Sequence, residues 1–370
     1  MTGIYIHIPF CRKKCLYCDF VSFPICGEGA FLNAEEYISA LLTEMAARKG
    51  ELEGKAVDTI FFGGGTPSLL EKEQIAVLMQ AISDSFALRQ KAEITIEANP
   101  ESITLDKARQ WLGLGINRIS IGVQSFCDEE LAAIGRAHDS KAAAGAFDTA
   151  NKAGFENISA DLICCLPGQR EESLIRSIDR AADLGAEHIS CYQLQLEENT
   201  PLERMAGRGE IALPDDDACS DMMAAAAQHL EQRGFLRYEV SNFAKPGREC
   251  LHNMNYWLRG DYLGLGISAH SFLRDEGKRI ANTSSPEEYL SGKTVGEVNI
   301  ISVDDALAET IMLGMRLSKG LHKSVFSAEQ LNRAQKLAER GLLIGREGRY
   351  MPSRRGFEVL NSVILFLLEG

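Results

Sequence analysis

No run of apolar residues here is long enough to cross a bilayer. The longest near the end, Val363 to Leu368, covers six residues, against the roughly 20 that a membrane-spanning helix needs. Basic residues are scarce too: 39 Lys and Arg face 52 Asp and Glu, a formal net charge of −13. Phosphate binding needs clustered excess cations, so a nucleic-acid partner is not expected. The start, Met1-Thr2-Gly3-Ile4, has neither a basic n-region nor a long apolar h-region, so no secretory leader is expected. Without one, the ten cysteines in 370 residues do not suggest a disulfide framework. Cys26, Cys127, Cys164, Cys165, Cys191, Cys219 and Cys250 are expected as mostly buried free thiols in a reducing cytoplasm.

What is present is an ordinary globular balance, 45% hydrophobic and 25% charged, enough for one large domain and a small one. Three cysteines stand apart from the rest. Cys11, Cys15 and Cys18 occupy one loop after the apolar strand Ile4-Tyr5-Ile6-His7-Ile8, a spacing that lets three thiolates close on one metal centre. Thiolates are the usual ligands of iron–sulfur clusters, and three would leave one iron of a four-iron cluster open. On spacing alone, a zinc site with a distant fourth ligand or unliganded loop cysteines remain open.

Strands and helices alternate beyond the loop. Helical composition over Ala34 to Lys49 puts Tyr37, Leu41 and Met45 on one face, and Val57 to Phe62 reads as a strand running into Gly63-Gly64-Gly65. Three related segments then follow: Gly115 to Ser120, Gly154 to Ser159 and Gly185 to Ser190. Each pairs a glycine suited to a helix C-cap with an Ile-Ser strand, at intervals of roughly 30 to 40 residues, about one βαβ unit. Six such strands between Ile4 and Tyr192 predict a parallel sheet wound as an open, six-unit (β/α) barrel. Residues 1–200 are expected as this core and 201–300 as the region closing the barrel mouth. Residues 301–370 are expected as a small winged-helix-like cap. The cap's DNA-binding associations find no basic recognition face.

Polar residues stand where strands should end: Glu97, Gln124 and Asp161, with Arg136 in the loop-helix after Gln124. Strand C-termini build the active sites of β/α barrels, and charges in apolar surroundings are costly unless paired or met by a ligand. Mutual salt bridges are the alternative. The three glycines either admit a ligand close to the backbone or simply make a tight turn.

Taken together, Tyr5-x-His7-Ile8-Pro9-Phe10-Cys11, the Cys-x-x-x-Cys-x-Tyr-Cys run and Gly63-Gly64-Gly65-Thr66-Pro67 resemble the radical S-adenosylmethionine (radical SAM) enzymes, within them the HemN-like branch. The resemblance implies a 4Fe-4S cluster on Cys11, Cys15 and Cys18, with SAM chelating the open iron and cleaved by one cluster electron. It implies SAM contacts at Gly64, Gly65, Thr66, Glu97, Gln124, Arg136 and Asp161, a further one at Gln195, and Tyr5 and Tyr17 shielding the cluster or stacking near adenine. The six-unit barrel is also that family's core fold.

Two departures separate the chain from the branch's oxygen-independent coproporphyrinogen III oxidase. Phe20 stands where the oxidase has another cysteine, and the chain starts at the first strand, where the oxidase has a long preceding segment. Both, with His252-Asn253-Met254-Asn255-Tyr256-Trp257, are similar to the branch's heme chaperones, the HemW family. This implies heme binding and delivery to an unidentified acceptor protein, rather than porphyrin biosynthesis by the oxidase reaction. His252 beside Tyr256 and Trp257 is the expected heme site, since imidazole ligates iron and the rings could flank a porphyrin. Met254 and His270 are alternative ligands. Without the resemblance, a packed loop histidine is the simpler reading.

Overall fold

The structure, a computed structural model, describes residues 1–25 and 32–369; Cys26 lies outside the described residues. Six strands run parallel in chain order: β1 (Thr2–Ile8), β2 (Ala56–Gly64), β3 (Ala87–Ala98), β4 (Arg118–Gln124), β5 (Ile158–Cys164) and β6 (His188–Gln193). Parallel neighbours need crossovers. These are helical: α1 (Ala34–Arg48), α2 (Lys72–Ser85), α3 (Leu105–Gly113), α4 (Ser140–Ala153) and α5 (Glu171–Asp183). Gly154 ends α4 in the left-handed region at φ 107°, the stop read from the repeat.

Side chains alternate along each strand. Ile4, Ile6 and Ile8 of β1 share the main core with Tyr37, Leu41 and Met45 of α1, while Gly3, Tyr5 and His7 project to the other face. Residues from β2 through β6 line one common cavity, so the sheet curls around its inner face. The fold is the expected α/β barrel with a small C-terminal unit.

The sheet continues beyond the six parallel strands. After α6 (Asp216–Gln232), the strands β7 (Leu236–Arg237) and β8 (Asn242–Ala244) extend it antiparallel beyond β6. Beyond β1 lie β9 (Asp261–Leu265), parallel to it, then antiparallel β10 (His270–Leu273), β11 (Lys278–Asn282) and β12 (Val295–Ile300). The chain therefore passes from one edge of the barrel to the other, through α7 (Leu251–Trp257). It crosses at the strand beginnings: Glu93 of β3 accepts from the backbone N–H of Leu251 and His252, each at 3.0 Å. The region expected to close the mouth closes the floor instead. Backbone donors at the start of α7 need acceptors, and Glu93 supplies one at that end.

A buried charge network ties α1 to the added strands. Glu44 and Arg48 pair at 3.0 Å, and Arg48 also donates to Gly264 O, Asn282 Oδ1 and Ser271 Oγ. Removing one member leaves the other buried without its counter-charge, which typically costs about 3–5 kcal/mol. Arg48→Ala should therefore lower the chemical-denaturation midpoint sharply, and an unchanged midpoint would mean the network contributes nothing.

The C-terminal unit packs α8 (Val303–Gly314), α9 (Ala328–Glu339) and α10 (Leu360–Leu368) around Ile311, Met315, Leu337, Tyr350 and Val363. Its hairpin joins Leu343–Arg346 to Arg349–Pro352, with Leu321–His322 alongside. Glu347 and Gly348 both have positive φ, the backbone of a tight two-residue turn. Among the described residues no helix is long and apolar enough to cross a membrane.

Candidate cofactor site

The cysteine loop is fastened at its base and its middle. Phe10–Cys11 pairs in parallel with Phe23–Pro24. Leu16 donates its N–H to Ile134 O at 3.1 Å and accepts from Leu202 N at 2.9 Å. Thus fixed, Cys11, Cys15 and Cys18 all face one cavity at the C-terminal ends of the barrel strands.

The opposite wall is a relay of polar groups. Cys11 Sγ lies 3.5 Å from Thr66 Oγ1, which accepts from Asn99 Nδ2 at 3.0 Å. Asn99 Oδ1 accepts from Arg136 at 2.8 Å, and the same guanidinium donates to Gly122 O at 2.6 Å and Cys15 Sγ at 3.4 Å. Arg136 Nε is buried with no protein partner, a donor left over in a structure where such groups are normally satisfied. Burial raises the Cys11 and Cys18 thiols above their ordinary range.

Two carboxyls sit deeper. Glu97 accepts from Gly64 N at 3.1 Å, and burial, then the neighbouring Asp161 charge, push it up to about 8. Asp161 accepts from Ser120 Oγ at 3.0 Å and Ser190 Oγ at 2.7 Å, and burial raises it too. Among the described residues no ion pair joins Glu97, Asp161 and Arg136, so mutual salt bridges are not what holds them. Gln124 carries a left-handed φ of 66° where the β4–β5 ladder slips, the kind of backbone strain that collects at functional sites.

The glycines answer to the fold as well as to any ligand. A Cβ on Gly64 would stand 2.6 Å from the His7 ring, and one on Gly65 2.6 Å from Phe10 O. The turn needs them in either case.

The structure thus brings together Cys11, Cys15, Cys18, Tyr17, Gly64, Gly65, Thr66, Glu97, Gln124, Arg136 and Asp161. Tyr5 is not on this wall: it lies deeper in the barrel, stacked on Phe61 with its hydroxyl 3.1 Å from His7 Nδ1. Gln195 opens into a neighbouring groove. Asn99, Ser120 and Tyr192 also line the cavity and were missed by sequence reasoning. Stepping by two from Glu97 gives Asn99, and from Gln124 back gives Gly122 and Ser120, the signal that was available.

His252 does not line this cavity. It sits on the floor, only 1% exposed. Its Nδ1 is 2.8 Å from Thr59 Oγ1 and its Nε2 2.8 Å from Tyr256 OH. Burial, with the Arg118 charge second, lowers it to about 3. Both ring nitrogens are engaged within the protein, so iron ligation by His252 requires one of these hydrogen bonds to break. His270, one of the alternatives, is exposed, with Nδ1 3.1 Å from Ser268 O.

Among the described residues no three His, Cys, Asp or Glu side chains converge on a single metal-ion position. A four-iron cluster asks for something else, one thiolate at each of three iron corners. Three thiols around the rim of one cavity, with a polar wall opposite, fit that group.

Residues 5–181 match the radical SAM superfamily and 301–359 the HemN C-terminal domain. The chain is 36% identical to the heme chaperone HemW of Escherichia coli K12, over 99% of this chain and 98% of that protein. The chain belongs to the HemW family. The HemW of Mycobacterium tuberculosis is 35% identical over 99% of this chain and 94% of its own, and that of Bacillus subtilis 34% over 98% of each. In three dimensions the HemW fold seen here is similar to that of the E. coli coproporphyrinogen III oxidase HemN, a radical SAM enzyme. The TM-score is 0.84 at 25% identity, over 99% of this chain and 89% of that one.

Proposed function

We propose that this protein is a cytoplasmic heme chaperone, which binds heme and passes it to an acceptor protein, and that its barrel cavity holds a 4Fe-4S cluster and SAM. The observation that carries the reading is the near full-length similarity to proteins named heme chaperone HemW. Residues 1–200 are proposed as the cofactor-holding core, 201–300 as floor and sheet extension, and 301–370 as cap. The net charge of −13 disfavours a nucleic-acid partner.

Cys11, Cys15 and Cys18 would hold the cluster. With SAM on its open iron, such a cluster supplies one-electron cleavage chemistry. The chain's own residues orient the ligand. Arg136, anchored by Asn99 and Gly122, would offer its guanidinium to the SAM carboxylate. Glu97 and Asp161 offer acceptors to the ammonium and ribose hydroxyls, and Thr66, Gly64 and Gly65 line the path between. Gln124 and Tyr17 complete the wall. An oxidase of the HemN kind shares this fold, but Phe20 stands at its additional cysteine position, 67% exposed and unable to ligate.

Glu97 gives a pH signature. Its folded value, about 8 against an ordinary 4.5, means the SAM-free protein keeps a proton there through that interval. The associated stability is fully present below the lower value and is lost as pH rises through the upper one. A ligand ammonium favours the carboxylate, so SAM binding at pH 7 should release close to one proton. Calorimetry in buffers of different ionisation enthalpy should show it, and Glu97→Gln should remove most of it. Buffer-independent enthalpies in the wild type would contradict the assignment.

Heme titration tests the function itself. Wild type, the Cys11, Cys15, Cys18→Ala triple variant and His252→Ala should all develop a Soret band, and wild type should pass heme to an apo-acceptor. His252→Ala should lose stability, because two buried hydrogen bonds go. A Soret band missing only in that variant would restore His252 as the ligand, and coproporphyrinogen turnover without heme binding would favour the oxidase.

A further inference from the structure

A second cavity of about 720 Å³ opens beside the cofactor site, between β6, α6 and the C-terminal unit. Tyr192 lines both, so the two spaces adjoin. The volume falls within the range of small-molecule sites, roughly 300–1,000 Å³. Its walls combine apolar side chains, Met223, Val240, Phe357 and Leu360 among them, with three arginines, Arg237, Arg316 and Arg354.

The arginines are held by neutral groups. Arg354 donates to Ala224 O at 3.0 Å and Gln228 Oε1 at 3.1 Å, and Arg316 to Asn361 Oδ1 at 3.3 Å. Arg237 lies 4.8 Å from the ring centroids of both Phe243 and Phe357. Among the described residues no carboxylate stands within ion-pairing distance of any of the three, although Asp216 and Glu358 also line the cavity. Burial lowers Arg237 from its ordinary value; Glu231, Cys191 and Glu239 act against that, and Arg354 adds a smaller repulsion. Three forks with spare donors above an apolar wall make a receptor for a flat, apolar molecule that carries carboxylates.

We propose that this groove is the tetrapyrrole site, the macrocycle lying on the apolar wall and its propionates meeting the arginines, an assignment that rests on the heme-chaperone reading. No His or Cys lines the groove, so recognition comes from the porphyrin's carboxylates more than from its iron. Gln195, which lines the groove, belongs to it rather than to SAM.

The test compares hemin, metal-free protoporphyrin IX and protoporphyrin IX dimethyl ester on the full-length protein, by absorbance and fluorescence titration. Wild type should bind both diacids and bind the ester at least tenfold more weakly. The Arg316→Gln, Arg354→Gln double variant should lose at least tenfold for the diacids and no longer distinguish acid from ester. Should that variant fail to fold, the acid-to-ester comparison on wild type decides alone. Equal wild-type affinity for diacid and ester overturns the groove while leaving heme binding intact. No binding of hemin at all overturns both.

Discussion

Anaerobic reconstitution of Cys11→Ala, Cys15→Ala or Cys18→Ala should each yield protein without the charge-transfer absorbance of an iron–sulfur cluster. The effect is expected to be near total, because on the proposed ligation each thiolate would hold its own iron and no described cysteine outside the loop lines the cavity. The neighbouring aromatic, Phe20, offers no donor in its place. The folded barrel should survive, since the loop is pinned through backbone bonds at Leu16 and Phe23 that leave the thiols out. Far-ultraviolet circular dichroism separates loss of cluster from loss of fold. Normal cluster loading in any one variant would remove that residue from the ligand set.

The second large effect is expected at Arg136. Charge-assisted hydrogen bonds contribute about 1.5–3 kcal/mol each, and each 1.4 kcal/mol is about tenfold in affinity. Arg136→Ala should therefore weaken SAM binding by roughly ten- to a hundredfold, with iron and sulfide content unchanged. Arg136→Lys should recover little. A lysine ammonium, a compact point charge, lacks the planar fork with which the guanidinium reaches Asn99 and Gly122 and could still meet a carboxylate. Calorimetry with the cluster-loaded variants provides the comparison, and wild-type affinity in the alanine variant would return Arg136 to a purely structural role.

The barrel and the upper site were legible because their signals are local. Ile4, Ile6 and Ile8 alternate within one strand, Gly154 marks a helix end, and three cysteines share eight residues. Glu97, Gln124 and Asp161 could be found because a strand end is visible in the sequence around it. The floor was not legible, because its contacts are distant: His252 meets Thr59 across 193 residues and Glu93 across 159. A polar and aromatic hexapeptide looks the same whether it faces solvent or plugs a barrel. Nor does anything local announce β9 to β12, short strands with glycine at Gly264 and Gly296 whose partners lie at the other end of the chain or beyond a loop.

The pairing of Thr2 with Asp261 sets an order of events during synthesis. One flank of β1 can be met as soon as β2 emerges, but the other stays bare until some 259 further residues (261 − 2) have been added. At roughly 5–20 residues per second that is an interval on the order of ten to fifty seconds. Throughout it the thiols of Cys11, Cys15 and Cys18 follow a strand with one open edge, without the floor that α7 later supplies. Thiols that are accessible and unliganded are open to oxidation. A nascent chain stalled before residue 261 should therefore take up a cluster less well than the full-length protein, measured by iron and sulfide content after anaerobic reconstitution.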